Sequence, residues 1–134
     1  MQTQWLDVIR WDSNGLVPVI AQDFQSKDIL MQAFCNREAL QLSVQEGRAI
    51  YWSRSRGRLW RKGEESGHVQ RLQGILLDCD GDSLIFLVEQ VGGVACHTGR
   101  RSCYFHRLDA GGEWLVEGAA LNAPKSIYRT APKD

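Results

Sequence analysis

Short apolar runs alternate along this chain with polar, glycine-bearing segments, the rhythm of short strands joined by turns. Residues 16–21 (Leu-Val-Pro-Val-Ile-Ala) and 29–34 (Ile-Leu-Met-Gln-Ala-Phe) predict two strands, joined as a hairpin by the polar stretch 22–28. Residues 36–47 predict the main helix. Asn36 can cap it, Ala39, Leu40 and Val44 fall near one face, and Gly47 supplies a stop. Further strands are expected at 48–53, 69–77 and 83–88, a shorter one at 102–108 and a last one at 114–116. The tail, 122–134, reads as loosely ordered. The expected fold is therefore α+β: a small, strand-dominated domain of mostly antiparallel short strands with one main helix. It is expected to be a single domain over 1–134, with its core at about 16–108.

Composition narrows the function classes. The chain has 134 residues, 43% of them hydrophobic, and Lys+Arg and Asp+Glu are both 16, for a formal net charge of +0. No global field draws it to nucleic acid or to an anionic membrane. The N-terminus has neither a cationic stretch nor a long apolar run, and the apolar segments fall far short of the ~20 residues a membrane helix needs. A cytoplasmic protein is expected, with its 4 cysteines reduced.

Against that neutral background, local clusters carry the chemistry. Asp78-Cys79-Asp80-Gly81-Asp82 follows an apolar strand directly. In an extended chain the carboxylates of Asp78, Asp80 and Asp82 share a face, with Cys79 on the other. Carboxylates so crowded repel unless a cation sits among them, and hard oxygen ligands suit Mg²⁺ or Ca²⁺. A solvated turn is the plainer reading. An EF-hand loop fits poorly, since Ser83 stands where glycine is required and no helix flanks the segment. A second cluster, Cys96-His97-Thr98-Gly99-Arg100-Arg101-Ser102-Cys103, sets two thiols around an imidazole at a spacing wider than a zinc knuckle. Both cysteines could instead be small reduced hydrophobes. With Cys79 they make three cysteines in polar, turn-like segments, whereas Cys35 lies among apolar residues. Three protein ligands and an open position are the pattern of a catalytic zinc. The third cluster, 53–63, concentrates Arg54, Arg56, Arg58, Arg61 and Lys62 around Trp60. Guanidinium groups grip phosphate, and indole faces stack on bases. A solvated basic loop is the alternative, and Glu64 and Glu65 count against an RNA groove.

Taken together, these segments resemble the phosphoribosyl-AMP cyclohydrolase family, the ring-opening enzymes of histidine biosynthesis. The resemblance covers about 16–105 and is carried by Ile29-Leu-Met, Asn36-Arg-Glu-Ala-Leu40, Trp52-Ser-Arg-Ser-Arg56, Leu59-Trp-Arg-Lys-Gly-Glu64, Ser66-Gly-His68 and the two cysteine-bearing clusters. The chain departs from the usual pattern at Glu65, where Thr is common, at Phe34-Cys35, where Tyr-Met is common, and at Val94, where Pro is frequent. The resemblance implies a homodimer with Zn²⁺ on Cys79, Cys96 and Cys103, Cys79 coming from across the interface, and Mg²⁺ on Asp78, Asp80 and Asp82. It also implies that the preceding pyrophosphohydrolase step belongs to another protein.

The implied substrate is AMP alkylated at N1 by a second phosphoribosyl group, which makes C6 electrophilic. Water attacks C6 and the C6–N1 bond breaks. Zinc can lower the pKa of water from 15.7 to roughly 7. His97 is the expected proton carrier, with His68 and His106 as alternatives. Arg54, Arg56, Arg58 and Lys62 are expected to hold the phosphates, and Trp60 to stack on the purine. Two rival readings are a zinc nucleobase deaminase, whose His-x-Glu and Pro-Cys-x-x-Cys signature is absent, and a zinc-stabilised RNA-binding module.

Overall fold

The computed structural model describes residues 2–118. A short 3₁₀ segment, Gln4–Val8, precedes strands β1 (Val17–Asp23) and β2 (Ile29–Cys35). Helix α1 (Arg37–Glu46) follows, then β3 (Ile50–Ser53), β4 (Arg58–Arg61), β5 (Gln70–Leu77) and β6 (Leu84–Gln90). A 3₁₀ turn at Val91–Gly93 leads to β7 (His106–Leu108) and β8 (Trp114–Val116). The α+β, strand-dominated class holds. The tail at 122–134 lies outside the described residues.

Sheet order is β2-β1-β6-β5, with separate two-stranded sheets β3-β4 and β7-β8. Pairings are antiparallel except β1 with β6, which run parallel. Parallel neighbours need a long crossover, and here it carries the helix and the β3-β4 sheet. The alternation of β1 is clean. Val17, Val19 and Ala21 are buried, and Ile20 and Gln22 face the half-covered side. The same inner face continues through Met31, Ala33, Leu84, Phe86 and Val88. Helix α1 covers it with Ala39 and Leu40. The Asn36 carboxamide accepts from the Ala39 N–H at 2.8 Å, and Gly47 ends the helix at φ +71°. Both caps stand where the sequence puts them.

Three expectations need correction. The basic stretch after Ser53 is a hairpin: Tyr51 pairs with Trp60 and Ser53 with Arg58, so β4 occupies what reads as a loop. Its alternation is masked by arginines, whose long stems tolerate a strand facing solvent. Only His106–Leu108 of the expected 102–108 strand is regular, because Ser102 and Cys103 bond to β2 instead. The Asp78–Asp82 segment is a tight turn with Gly81 at φ +76°, not an extended run.

A buried polar chain crosses the core. The Tyr51 hydroxyl donates to Gln70 Oε1 at 2.6 Å, Gln70 Nε2 to Gln90 Oε1 at 2.9 Å, and Gln90 Nε2 to the His68 carbonyl at 2.9 Å. Tyr51 and Gln70 are fully buried. Tyr51→Phe strands the Gln70 oxygen, so a loss of about 1–3 kcal/mol is expected. Urea denaturation should show a lower midpoint at unchanged slope, and an unchanged midpoint would mean that Gln70 finds another donor.

Candidate active site

The thiol loop is assembled on the free edge of β2. Register passes from Gln22 opposite Ile29 to Ala21 opposite Met31, so Leu30 is the extra residue of a bulge. Its carbonyl accepts from the Cys103 N–H at 2.7 Å, and the Ser102 hydroxyl donates to the Ile29 carbonyl at 2.7 Å. Upstream, Ala95 N–H donates to Arg101 O and Cys96 N–H to Arg100 O, each at 3.0 Å. The turn between closes through Gly99 N–H on Cys96 O, with Gly99 at φ +88°. Arg101 clamps the assembly, its guanidinium lying 3.0 Å from Asp28, 3.3 Å from Ser26 Oγ, 3.4 Å from Asp23 and 3.3 Å from the Gly93 carbonyl. The Arg101 hydrogen bond comes first among the causes that hold Asp28 below the usual carboxylate range.

This folding brings Cys96 and Cys103 into side-chain hydrogen-bonding contact, neither of them in a disulfide. The Cys103 contact, the Thr98 hydroxyl at 3.1 Å, the Thr98 N–H and the nearby His97 together outweigh desolvation and lower the Cys96 thiol to about 5. Cys35 is the opposite case. It is fully buried, its thiol donates to the Ile50 carbonyl at 3.2 Å, and burial pushes its pKa up. An inert packed thiol and an acidified one are thus separated by environment.

Asp78, Asp80 and Asp82 offer oxygens that all lie within 4.8 Å of one another. The turn, not strand alternation, gathers them. Asp82 N–H donates to Asp78 Oδ1 at 2.9 Å, and Asp78 N–H to Ser83 O at 3.0 Å. Against desolvation, hydrogen bonds from Asp82, Ser83 and Gly81 hold Asp78 below its ordinary value. The Asp78 hydrogen bond and charge, with Asp80 behind them, push Asp82 up. A divalent cation relieves that repulsion, so the donor set fits a hard metal. Among the described residues no other trio of His, Cys, Asp or Glu lies so close. Cys79, exposed at the same turn, therefore does not join Cys96 and Cys103 within one chain.

The remaining candidates divide by exposure. Arg54, Arg56 and Arg58 face solvent at the β3-β4 turn. The Arg54 guanidinium sits 4.0 Å above the Phe34 ring, and Arg58 pairs with Glu64 at 3.0 Å. Trp60 is 8% exposed and packs against Tyr51 at 5.6 Å, so its ring belongs to the core and is not presented to a purine. Lys62 is 1% exposed and its Nζ donates to the Ala95 carbonyl at 2.5 Å, so it is not presented to a phosphate. Spacing counts cations but does not show on which side of a strand each one lies. His97 is half-buried beside Cys96. His106 is exposed on β7, with its ring 4.3 Å from Phe105. His68 is wedged between backbones: a Cβ on Gly92 would meet its ring at 2.6 Å, and one on Gly63 would meet its carbonyl carbon at 2.5 Å. Its Nδ1 is buried without a hydrogen-bond partner among the described residues. Sequence reasoning missed Arg101 and the Tyr51–Gln70–Gln90 chain, for which composition and spacing give no signal.

Metal-free protein should show one thiolate absorbance step near pH 5, absent in Cys96→Ala. An unfolded cysteine titrates near 9.0 and folded Cys96 near about 5. Between those values the unfolded state holds the extra proton, so the Cys96 contribution to stability grows as pH rises from 5 to 9 and is lost on acidification. Unfolding free energies of the wild type and Cys96→Ala should therefore diverge with rising pH, and parallel curves would contradict the ionised thiol.

The family model for phosphoribosyl-AMP cyclohydrolase matches residues 31–105, a stretch that holds the metal-type clusters of both turns. Over 124 residues the chain is 61% identical to the phosphoribosyl-AMP cyclohydrolase of Stutzerimonas stutzeri (strain A1501), covering 92% of this chain and 94% of that one. It is 60% identical over 127 residues to that of Pseudomonas paraeruginosa, covering 95% and 94%, and 60% identical over 125 residues to that of Azotobacter vinelandii, covering 93% of each. With the β2-edge thiol loop and the aspartate turn both inside the matched stretch, this chain belongs to the phosphoribosyl-AMP cyclohydrolase family.

Proposed function

We propose that this chain opens the adenine ring of 1-(5-phosphoribosyl)-AMP at C6–N1 in histidine biosynthesis. In this reading it works as a homodimer with Zn²⁺ on Cys96, Cys103 and the partner's equivalent of Cys79, and Mg²⁺ on Asp78, Asp80 and Asp82. The observation that carries this is the contact between the Cys96 and Cys103 thiols, the first lowered to about 5, in a chain whose third candidate thiol stands elsewhere. Two sulfurs in one chain make an incomplete site, and a second copy completes it. Leu77 and Leu84, which flank the turn bearing Cys79, line an apolar groove of about 400 Å³ together with Trp5, Val8, Val44 and Ile75. Val8 is 64% exposed and Leu77 41%, surface that a second chain would cover. No helix among the described residues is long and apolar enough to cross a membrane.

Zn²⁺ bound there supplies Lewis acidity and acidifies water at neutral pH. The chain's own residues do the rest. His97, next to Cys96, takes the proton as water oxygen bonds to C6 and returns it as the C6–N1 pair leaves with N1, leaving a carboxamide and a formimino group. Arg54, Arg56 and Arg58 meet phosphate from the exposed hairpin turn.

Complementation tests the shared site. Cys79→Ala and Cys96→Ala chains should each be inactive. Mixed at equal amounts and reassembled, they should recover roughly a quarter of wild-type activity, since half the dimers are mixed and each has one intact site. No recovery would place Cys79 with its own chain, and an active Cys79→Ala chain would place it outside the site. His97→Ala should lower kcat by about 10²–10⁴-fold and flatten one limb of the pH–rate profile. An unchanged profile would remove His97 from proton transfer.

A further inference from the structure

Lys62 leaves β4 into the interior, and its backbone is held on two sides. Its N–H donates to Ala49 O at 3.2 Å, and its carbonyl accepts from Arg48 at 3.2 Å. The side chain is 1% exposed, with Nζ 2.5 Å from the Ala95 carbonyl and 5.4 Å from the Trp60 ring centre. An ammonium taken out of water costs several kcal/mol, and an apolar side chain of similar volume fills such a space without that cost. What the cation adds is a grip on the carbonyl immediately before Cys96.

That peptide unit is planar, so its carbonyl oxygen and the following N–H move as one body. Lys62 holds the oxygen of Ala95, and the Arg100 carbonyl takes the N–H of Cys96 at 3.0 Å. With both ends of the plane fixed, the Cys96 Cα is fixed too, and because the Cys96 carbonyl is held in turn by the Gly99 N–H at 3.0 Å, the sulfur is left with the rotation about Cα–Cβ to meet Cys103. We propose that Lys62 is a positioning residue of the thiol pair: its ammonium locks the Ala95–Cys96 peptide plane and so sets the sulfur geometry on which metal affinity depends. This rests on the metal reading of Cys96 and Cys103 given above.

The test uses Co²⁺ titration of the metal-free dimer, followed by the sulfur-to-cobalt charge-transfer absorbance, beside thermal melting. Lys62→Met and Lys62→Gln both lose the grip, since the glutamine side chain is one bond too short. Either variant, if folded, should bind Co²⁺ about 10–100-fold more weakly than wild type, the usual cost of losing support behind a metal ligand. A folded variant with wild-type affinity overturns the proposal. Failure of both variants to fold overturns it as well and makes Lys62 a folding residue. If the wild type gives no sulfur-to-cobalt band, the metal reading itself falls and takes this inference with it. A wild-type band with undiminished variant affinity removes only the role of Lys62.

Discussion

The thiol loop hangs on the unpaired edge of β2. A strand edge presents carbonyls that must find donors. Here the Ile29 and Leu30 carbonyls take Ser102 Oγ and Cys103 N–H, both at 2.7 Å. The bulge at Leu30 places one residue outside the regular ladder, so its carbonyl turns toward the loop without costing a pairing with β1. Everything downstream follows from this anchor. Cys103 is fixed against the sheet, Arg100 and Arg101 fold back on Ala95 and Cys96, and the two sulfurs come into contact. Because the loop has little regular structure of its own, its rigidity comes from Arg101, which joins the β1-β2 turn at Asp28 to the loop entrance at Gly93.

The aspartate turn obeys a different constraint. Its carboxylates are exposed and close, and the repulsion appears as opposite displacements, Asp78 down and Asp82 up. Backbone donors from Gly81, Asp82 and Ser83 favour the Asp78 anion, and that charge disfavours the Asp82 anion. Soft and hard donor sets are thus built by different means. The Cys96 thiol is acidified by the Cys103 contact and the Thr98 donors against the cost of partial burial, whereas the carboxylates of the aspartate turn stay exposed to water.

Legibility from sequence followed the range of the interaction. The helix caps at Asn36 and Gly47 are local, and both were readable. So were the buried alternation of β1 and the inert Cys35. The aspartate cluster was read correctly as a trio for the wrong reason, since a glycine turn gathers it and not a pleat. The β4 strand was hidden because arginine-rich strands look like loops when only polarity is counted. The burial of Trp60 and Lys62 was not readable, because residue type sets what a side chain can do, whereas the pairing of β4 with β3 and of the Lys62 N–H with Ala49 sets which side it takes. Cross-sheet pairings such as Cys103 with Leu30 leave no local trace.

The parallel pairing of β1 with β6 explains why these parts meet at all. Antiparallel hairpins alone would place the ends of β2 and β6 according to neighbouring turns. The parallel step instead sends β6 along β1, so that Val88 lies opposite Asp23 at the β1-β2 turn. Phe24 N–H then bonds to Val88 O at 2.9 Å, and the chain leaves β6 beside the hairpin whose Asp23 and Asp28 receive Arg101. The same arrangement puts the opposite end of β6, with the aspartate turn and Cys79, beyond the far end of the sheet. One strand therefore carries the thiol loop at its exit and the third cysteine before its entrance, about seven strand residues apart at ~3.3 Å each. No turn or rotamer within one such strand closes that separation, so Cys79 stands apart from Cys96 and Cys103 within the chain.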